Sequence, residues 1–386
     1  MFTLALLDFL QTPAAAAALA ELAEQTDLEA GTLRLITGLR RTFAPEEAAA
    51  LLETARLRRK ADAKFGALAQ QMFFTADALE QSSHPLVTRF CRQVSQPAVL
   101  DYCCGIGTDS IAFALQGMDV TGVDADPVRV AMARLNSAAA GADARFVVGD
   151  VREPVATPAA IFFDPGRREN GRRVFHVEQY SPPLSALKQW QSPEILVKLA
   201  PGVDLAELRD YRGDITFVSV DGELKEALLR LSAGGRGAAG AVVIQGQIAY
   251  RYHPDDLRPV VPVADPQAFL VEPDAAIMRA GLVQDVAARM GGCLLDETIA
   301  YFTTPSLPVD PAVRAWRVVD WMPFQLKKLR QYLRERRIGH VTVKKRGSAI
   351  TPESLLPQLK LAGDNSCVLA LTRLRGAQVV IICDSP

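Results

Sequence analysis

The sequence predicts an α/β protein: a parallel sheet flanked by helices, a helical region before it and small α+β units after it. Three observations predict this. Residues 1 to about 80 are rich in Leu, Ala, Glu and Arg and sparse in β-branched residues, which is a helical composition. From about Pro97, short apolar runs alternate with helical stretches, as strands joined by crossover helices do. Past about Arg236, Gly-rich and then Pro-rich segments interrupt that texture, and shorter strand–helix alternations follow. Hydrophobic residues at 49% and charged residues at 23% exclude a disordered chain.

The elements follow in order. Pro45 opens a helix with Glu46 and Glu47 in its first turn, running to about Gln71. Its Arg56, Arg58, Arg59, Lys60 and Lys64 fit either a solvated face or contact with an anionic substrate. Strands are expected at 98–104, 119–124, 145–149, 160–164, 194–199, 216–220 and 240–245. Helices are expected at 108–116, 127–140 and 223–231. After the Pro-rich segment come a helix at 275–290 and a strand at 298–302. Strands near 317–321, 340–344, 367–372 and 378–383, with helices at 325–336 and 352–361, complete the chain. The divisions are then 1–80, 81–250, 262–312 and 313–386.

Six cysteines are scattered without C-x-x-C spacing, and there are four histidines. That pattern predicts reduced thiols, no metal site and a cytoplasmic protein. The N-terminus lacks a basic leader, Asp8 interrupts its apolar run, and no stretch approaches the ~20 apolar residues of a membrane span. The net charge is −1, which is silent about local patches.

The segment with chemistry is Asp101-Tyr-Cys-Cys-Gly-Ile-Gly-Thr-Asp109: a strand ends in an acid, and a Gly-x-Gly loop opens a helix. Ser110 replaces the third glycine of a dinucleotide fingerprint, and the acid before the loop would repel a diphosphate. An ammonium-bearing ligand suits it better. Asp124 ends the second strand, where a carboxylate takes hydrogen bonds from ribose hydroxyls. Asp150 ends the third, where it can accept from an adenine amine, and Asp164-Pro165 ends the fourth. One such acid also fits a helix cap or a solvated loop. Four at successive strand ends point to one ligand site.

This constellation, over about Leu79 to Gly246, resembles the class I S-adenosylmethionine (SAM)-dependent methyltransferases. A closer resemblance rests on Met72-Phe-Phe-Thr75, Leu79-Glu-Gln-Ser82, Cys103-Cys-Gly-Ile-Gly107 and Asp164-Pro-Gly-Arg-Arg168. It continues in Tyr180-Ser-Pro-Pro-Leu184, Val220-Asp-Gly-Glu-Leu-Lys225, Val343-Lys-Lys-Arg-Gly347 and Leu371-Thr-Arg373. These are similar to the bacterial class I methyltransferases with a C-terminal THUMP-like domain. The resemblance implies a Rossmann-like seven-stranded sheet, a small ferredoxin-like unit at 262–312 and a THUMP-like domain at 313–386. It implies SAM as cofactor. Asp101, Gly105 and Gly107 would contact its methionine end, Asp124 its ribose, and Asp150 and Val151 its adenine, with Cys103 and Ala125 also among the cofactor-binding residues. Asp164 would face the methyl group.

Amino-methyltransferases for nucleic acid bases carry Asp/Asn/Ser-Pro-Pro-aromatic at the fourth strand. Here Gly166, Arg167 and Arg168 follow Asp164-Pro165. The reading assigns catalysis to Asp164, Pro165 and Arg167. Arg167 and Arg168 would hold substrate phosphates, although surface ion pairs with acids fit them too. Ser181-Pro182-Pro183 resembles the missing motif but lies further along, as a rigid loop that borders the pocket. Between Leu326 and Arg346 stand nine Lys and Arg against one acid, Glu335. Such a concentration is the footprint of a phosphate-backbone partner, with Lys344, Lys345 and Arg346 as substrate contacts. A solvated face is the alternative. The expected activity is SAM-dependent methyl transfer (EC 2.1.1 class) to RNA, either tRNA or rRNA. A protein or small-molecule substrate, or a non-catalytic SAM- or RNA-binding role, are the alternatives.

Overall fold

The computed structural model describes residues 2–153, 155–169 and 172–384, without the side chains at 155–156, 168–169 and 172–173. The chain forms two compact units, Met1–Asp214 with Glu226–Gly237, and Ile215–Lys225 with Ala238–Pro386.

The first unit opens with helices Leu4–Leu10, Pro13–Ala23, Thr32–Leu39, Pro45–Phe65, Ala76–Gln81 and Pro85–Cys91. Thr3, Thr12 and Thr75 start three of them, each hydroxyl accepting from a first-turn N–H. The long helix ends at Phe65, earlier than expected, because Gly66 takes a left-handed φ of 56° and a 3-10 turn, Gly66–Gln71, follows. Its basic residues fasten neighbouring loops. Arg58 Nε donates to the Met72 carbonyl at 3.0 Å, and Lys64 Nζ donates to Ser82 Oγ at 2.8 Å. Leu51, Leu52, Leu57 and Phe74 share one apolar core with Ile106 and Met132. The helical region is therefore packed onto the loop that carries Gly105. Burying each such leucine stabilises by about 2 kcal/mol.

The sheet of this unit runs, in spatial order, Glu223–Ser232, Glu194–Leu199, Ala160–Phe163, Ala98–Tyr102, Asp119–Asp124 and Ala144–Val148. Neighbours are parallel except Glu223–Ser232, which is antiparallel to Glu194–Leu199. The chain steps from Ala98–Tyr102 to one side twice, then returns to its other side at Ala160–Phe163. That reversal opens a crevice at the carboxyl ends of the strands. Residues 223–231 were expected to be helical, because Glu, Leu, Lys and Ala favour a helix. They form a strand because Ala227 to Ser232 pair with Leu199 to Glu194, which buries Ala227, Leu228 and Leu229. Tertiary pairing overrides the local preference.

In the second unit, Asp214–Val220 lies parallel to Ala239–Gln245, which pairs antiparallel with Ile248–Tyr252. Ile248–Tyr252 falls in the segment read as a transition zone. A seven-stranded sheet follows, in the order Cys293–Leu294, Phe302–Thr304, Phe269–Pro273, Val313–Pro323, Ala377–Asp384, Asn365–Leu374 and Ile338–Lys345. Helices Leu326–Glu335 and Pro352–Leu359 cover one face through Leu329, Leu333, Leu355 and Leu359. The helix expected at 275–290 is two, Ala275–Arg279 and Val283–Arg289, broken where Gly281 takes a φ of 69°. The strand expected at 298–302 begins instead at Phe302. Among the described residues, no single helix is long and apolar enough to cross a membrane.

Candidate active site

The four strand-end acids converge. Asp101 pairs in register with Gly122 and with Phe162, so Asp164, one residue past Phe163, stands beside the Asp101 strand end. The Asp164 N–H donates to the Tyr102 carbonyl at 3.2 Å. Asp124 Oδ2 accepts from the Gly105 N–H, and its Oδ1 from the Asp126 N–H, both at 2.9 Å. This carboxylate therefore sets the loop that follows the first strand. Cys103, Gly105 and Gly107 take φ of 62°, 55° and 84°, and helix Thr108–Ala114 starts directly afterwards. A Cβ at Gly107 would lie 3.0 Å from Ala133 Cβ and 3.1 Å from the Phe146 ring. Only glycine fits there.

These elements enclose a cavity of about 710 Å³. Asp101, Cys103, Gly105, Asp124, Ala125, Asp150, Val151 and Asp164 line it. Gly107, the N-cap of the helix, is not among the residues that line it. Seven aspartates and two arginines line the cavity. That balance favours a cationic ligand and opposes a diphosphate. Cys103 and Cys104 are held as neutral thiols, because burial and the neighbouring aspartates push both up. Neither is an activated nucleophile.

Asp101 is fully buried. Its Oδ2 accepts from Ser110 Oγ, but its Oδ1 has no hydrogen-bond partner among the described residues. Burial, then the charge of Asp109, raise this carboxyl well above the usual carboxylate range. An orphaned acceptor in an acidic cavity fits an ammonium donor. The sign of the pH dependence follows. A carboxyl raised on folding stabilises below its unfolded value near pH 4 and loses that contribution as pH rises through the folded value. Asp101→Asn should therefore raise the melting temperature of the ligand-free protein by about 2–4 °C at pH 8. It should also weaken SAM at least about tenfold. Thermal melts and titration calorimetry check both; unchanged affinity refutes the assignment.

Asp150 is exposed and meets Arg152, whose side chain and N–H both donate to it and lower its pKa to about 2. Arg152 lies with it in the cavity wall. Pro165 is buried and Arg167 half-buried, and neither lines the cavity. The Arg167 carbonyl accepts from Val174. The side chains of Arg168, Arg172 and Arg173 lie outside the described residues. His176 sits outside the cavity, with Nδ1 2.8 Å from Glu207.

Three contacts escaped the sequence reading, although it did set the Ser181–Pro183 loop at the border of the pocket. First, Gly166 and Ser181 exchange backbone hydrogen bonds of 2.8 and 2.9 Å. The bridge places Tyr180, Ser181, Pro182 and Pro183 in the cavity wall beside Asp164. Second, Asp77, Ala78 and Gln81 of the N-terminal region also line the cavity. Third, Lys198 sits in a fully buried strand, with Nζ 2.7 Å from Asp164 Oδ2 and 3.0 Å from the Gln81 carbonyl. A lysine inside the apolar run Ile195-Leu-Val-Lys-Leu199 is the one available signal, because a buried ammonium requires a partner.

The floor of the site is ionic. Arg92 is fully buried, with Nε 2.7 Å from Asp109 Oδ1, Nη1 2.7 Å from Glu226 Oε1 and Nη2 3.0 Å from Ser83 Oγ. In the second unit, Lys344 Nζ is 2.7 Å from Glu272, and Arg346 is 3.5 Å from it. Lys345 is exposed. Of the three residues expected to touch substrate there, two thus meet an acid that lies far away in sequence.

Comparison with known proteins decides the family. The chain is 36% identical over 338 residues, 84% of its length and 92% of the relative's, to an uncharacterized S-adenosylmethionine-dependent methyltransferase of Mycobacterium tuberculosis (strain ATCC 25618 / H37Rv). The chain belongs to this methyltransferase family. The family described as "Methyltransferase domain" matches residues 99–163, which hold Asp101, Asp124 and Asp150 and end one residue before Asp164. "THUMP domain-like" matches residues 313–385, and a domain of unknown function matches 3–61. A methyltransferase candidate from Porphyromonas gingivalis W83 shares the fold of this methyltransferase, with a TM-score of 0.77, 21% identity and coverage of 96% and 98% of the two chains. A 91-residue stretch is 38% identical to an uncharacterized RNA methyltransferase of Parasynechococcus marenigrum (strain WH8102), covering 22% of this chain and 20% of that one.

Proposed function

We propose that this protein transfers a methyl group from SAM to RNA, and that tRNA or rRNA is its substrate. SAM supplies a methyl on a sulfonium, with a neutral thioether as leaving group. The cavity's own residues supply the rest. Asp101 takes the ammonium of the methionine end on its orphaned Oδ1. The loop at Gly105 gives close backbone approach, Asp124 and Ala125 face the ribose, and Asp150 and Val151 face the adenine. Asp164, beside the wall of Tyr180 and Ser181–Pro183, receives the acceptor atom. Alignment and exclusion of water carry the rate, because the donor already holds the driving force.

The observation that carries the RNA reading is the cationic surface of the second unit. Lys327, Lys328, Arg334 and Lys345 are exposed and form no salt bridge among the described residues. The THUMP-like match and the shorter likeness to an RNA methyltransferase support it. RNA affinity should fall steeply with salt, by about 0.7 log unit per log unit of salt for each single-strand phosphate contact. Replacing those four residues by Ala should flatten the slope by about 2–3. Lys344→Ala should change it less, because Glu272 already holds that charge. An affinity that ignores both salt and the fourfold substitution contradicts the RNA reading and favours a protein or small-molecule acceptor.

A further inference from the structure

We propose that Lys198 is a positioning residue for methyl transfer: it clamps one oxygen of Asp164 and leaves the other to an acceptor nitrogen that carries its own hydrogen. The inference deepens the proposed function and rests on Asp164 facing the methyl group.

The geometry is specific. Every residue of strand Glu194–Leu199 is buried, and only 4% of the Lys198 side chain is exposed. Its ammonium spans 2.7 Å to Asp164 Oδ2 and 3.0 Å to the Gln81 carbonyl. Asp164 and Gln81 both line the cavity, and the Asp164 side chain keeps 20% exposure. Oδ2 is therefore committed to the protein, while Oδ1 has no hydrogen-bond partner among the described residues. The other charged groups around this end are mostly acids. Asp101 and Asp109 come from the first strand and its helix, Asp77 from helix Ala76–Gln81, and Asp124 and Asp126 from the end of the second strand and the turn after it. Arg129 and Arg152 also line the cavity, and Arg92 is spent on Asp109 and Glu226. Among the described residues, Lys198 is the cation in contact with Asp164.

That pairing selects the chemistry. A carboxylate with one oxygen held by an ammonium offers its other oxygen as a hydrogen-bond acceptor. A hydroxyl acceptor needs a general base, because its proton must leave as it attacks. A neutral nitrogen needs none. Its lone pair forms the bond to the methyl carbon while the carbon–sulfur pair returns to sulfur. The nitrogen becomes cationic, and only then does its acidified proton pass to Asp164 Oδ1 and on to solvent. The half-buried rings of Pro182 and Pro183 beside Gly166 give a planar base something to lie against. They stand where Asp164-Pro165-Gly166 lacks the proline and aromatic of base amino-methyltransferases.

The test uses the full-length protein and three variants, Lys198→Met, Lys198→Arg and Lys198→Gln, with circular dichroism to confirm folding. SAM and S-adenosylhomocysteine affinities are measured by calorimetry. Tritium transfer from labelled SAM is measured on RNA of a strain lacking the gene. Removing a cation beside Asp164 leaves the site more negative, so Lys198→Met and Lys198→Gln should raise the preference for SAM over S-adenosylhomocysteine about tenfold. Turnover should fall about 100-fold. Lys198→Arg should restore most of both. A purely structural lysine would weaken both ligands and turnover together, and that outcome overturns the proposal. So does an unchanged ligand preference. Alkaline hydrolysis then reads the acceptor. Label in N-methyl base mononucleotides supports the assignment, whereas alkali-resistant dinucleotides (2′-O-methylation) or a C-methyl base overturn it. If wild-type protein labels no RNA, the RNA reading fails, and the ligand preference still decides the role of Lys198.

Discussion

Asp164→Ala lowers methyl transfer at least about 100-fold while changing SAM affinity less than about threefold. The expectation follows from position. Asp164 stands at the switch point of the sheet, level with the end of the Asp101 strand, and lines the cavity. The ammonium and ribose of the cofactor are assigned to Asp101 and Asp124, so ground-state binding should survive. Because Ala also strands the Lys198 ammonium, Asp164→Asn is the companion variant. It keeps an acceptor for Lys198 and should lose most of the rate with little loss of stability. Tritium incorporation and calorimetry separate the two quantities. Equal losses of affinity and turnover would make Asp164 a binding residue.

The second large effect is on stability. Arg92→Met should lower the unfolding free energy of the first unit by about 3–5 kcal/mol, read from urea denaturation, because it strands two buried carboxylates. Burial pushes the Asp109 carboxyl up, but Arg92 and then Lys198 outweigh it and hold it below the ordinary value. A carboxyl depressed on folding contributes stability above its unfolded value near pH 4, and the contribution is lost as pH falls through the folded value. The gap between Arg92→Met and wild type should therefore narrow below about pH 4. A loss under about 1 kcal/mol at pH 7 would mean that the buried ions are separately solvated.

The site was legible in the sequence where chemistry sits at the ends of apolar strands. Asp101, Asp124, Asp150 and Asp164 each close a run of three or more apolar or small residues, and parallel strands in register must then bring them together. The glycines were legible because left-handed turns before a helix demand them. What stayed hidden depends on distant partners. Arg92 meets Glu226 134 positions away, Lys344 meets Glu272 72 positions away, and Lys198 meets Asp164 34 positions away. No local pattern encodes those distances. The apparent excess of charge at 326–346 was read without Glu272 and Asp364, which hold Lys344 and Arg337. Ser181-Pro182-Pro183 was read as a loop bordering the pocket, but the Gly166–Ser181 bridge that folds it back beside Asp164 has no local signal. Residues 223–232 carry helix formers, and only the neighbouring strand makes them a strand.

The central claim is tested most directly by incubating the purified protein with tritiated-methyl SAM and total RNA from a strain lacking the gene, with parent-strain RNA beside it. The account predicts label in the deletion-strain RNA and none in the parent RNA, where the position is already methylated. SAM binding by calorimetry with no label in either RNA would contradict it, and would move the acceptor to proteins or small molecules.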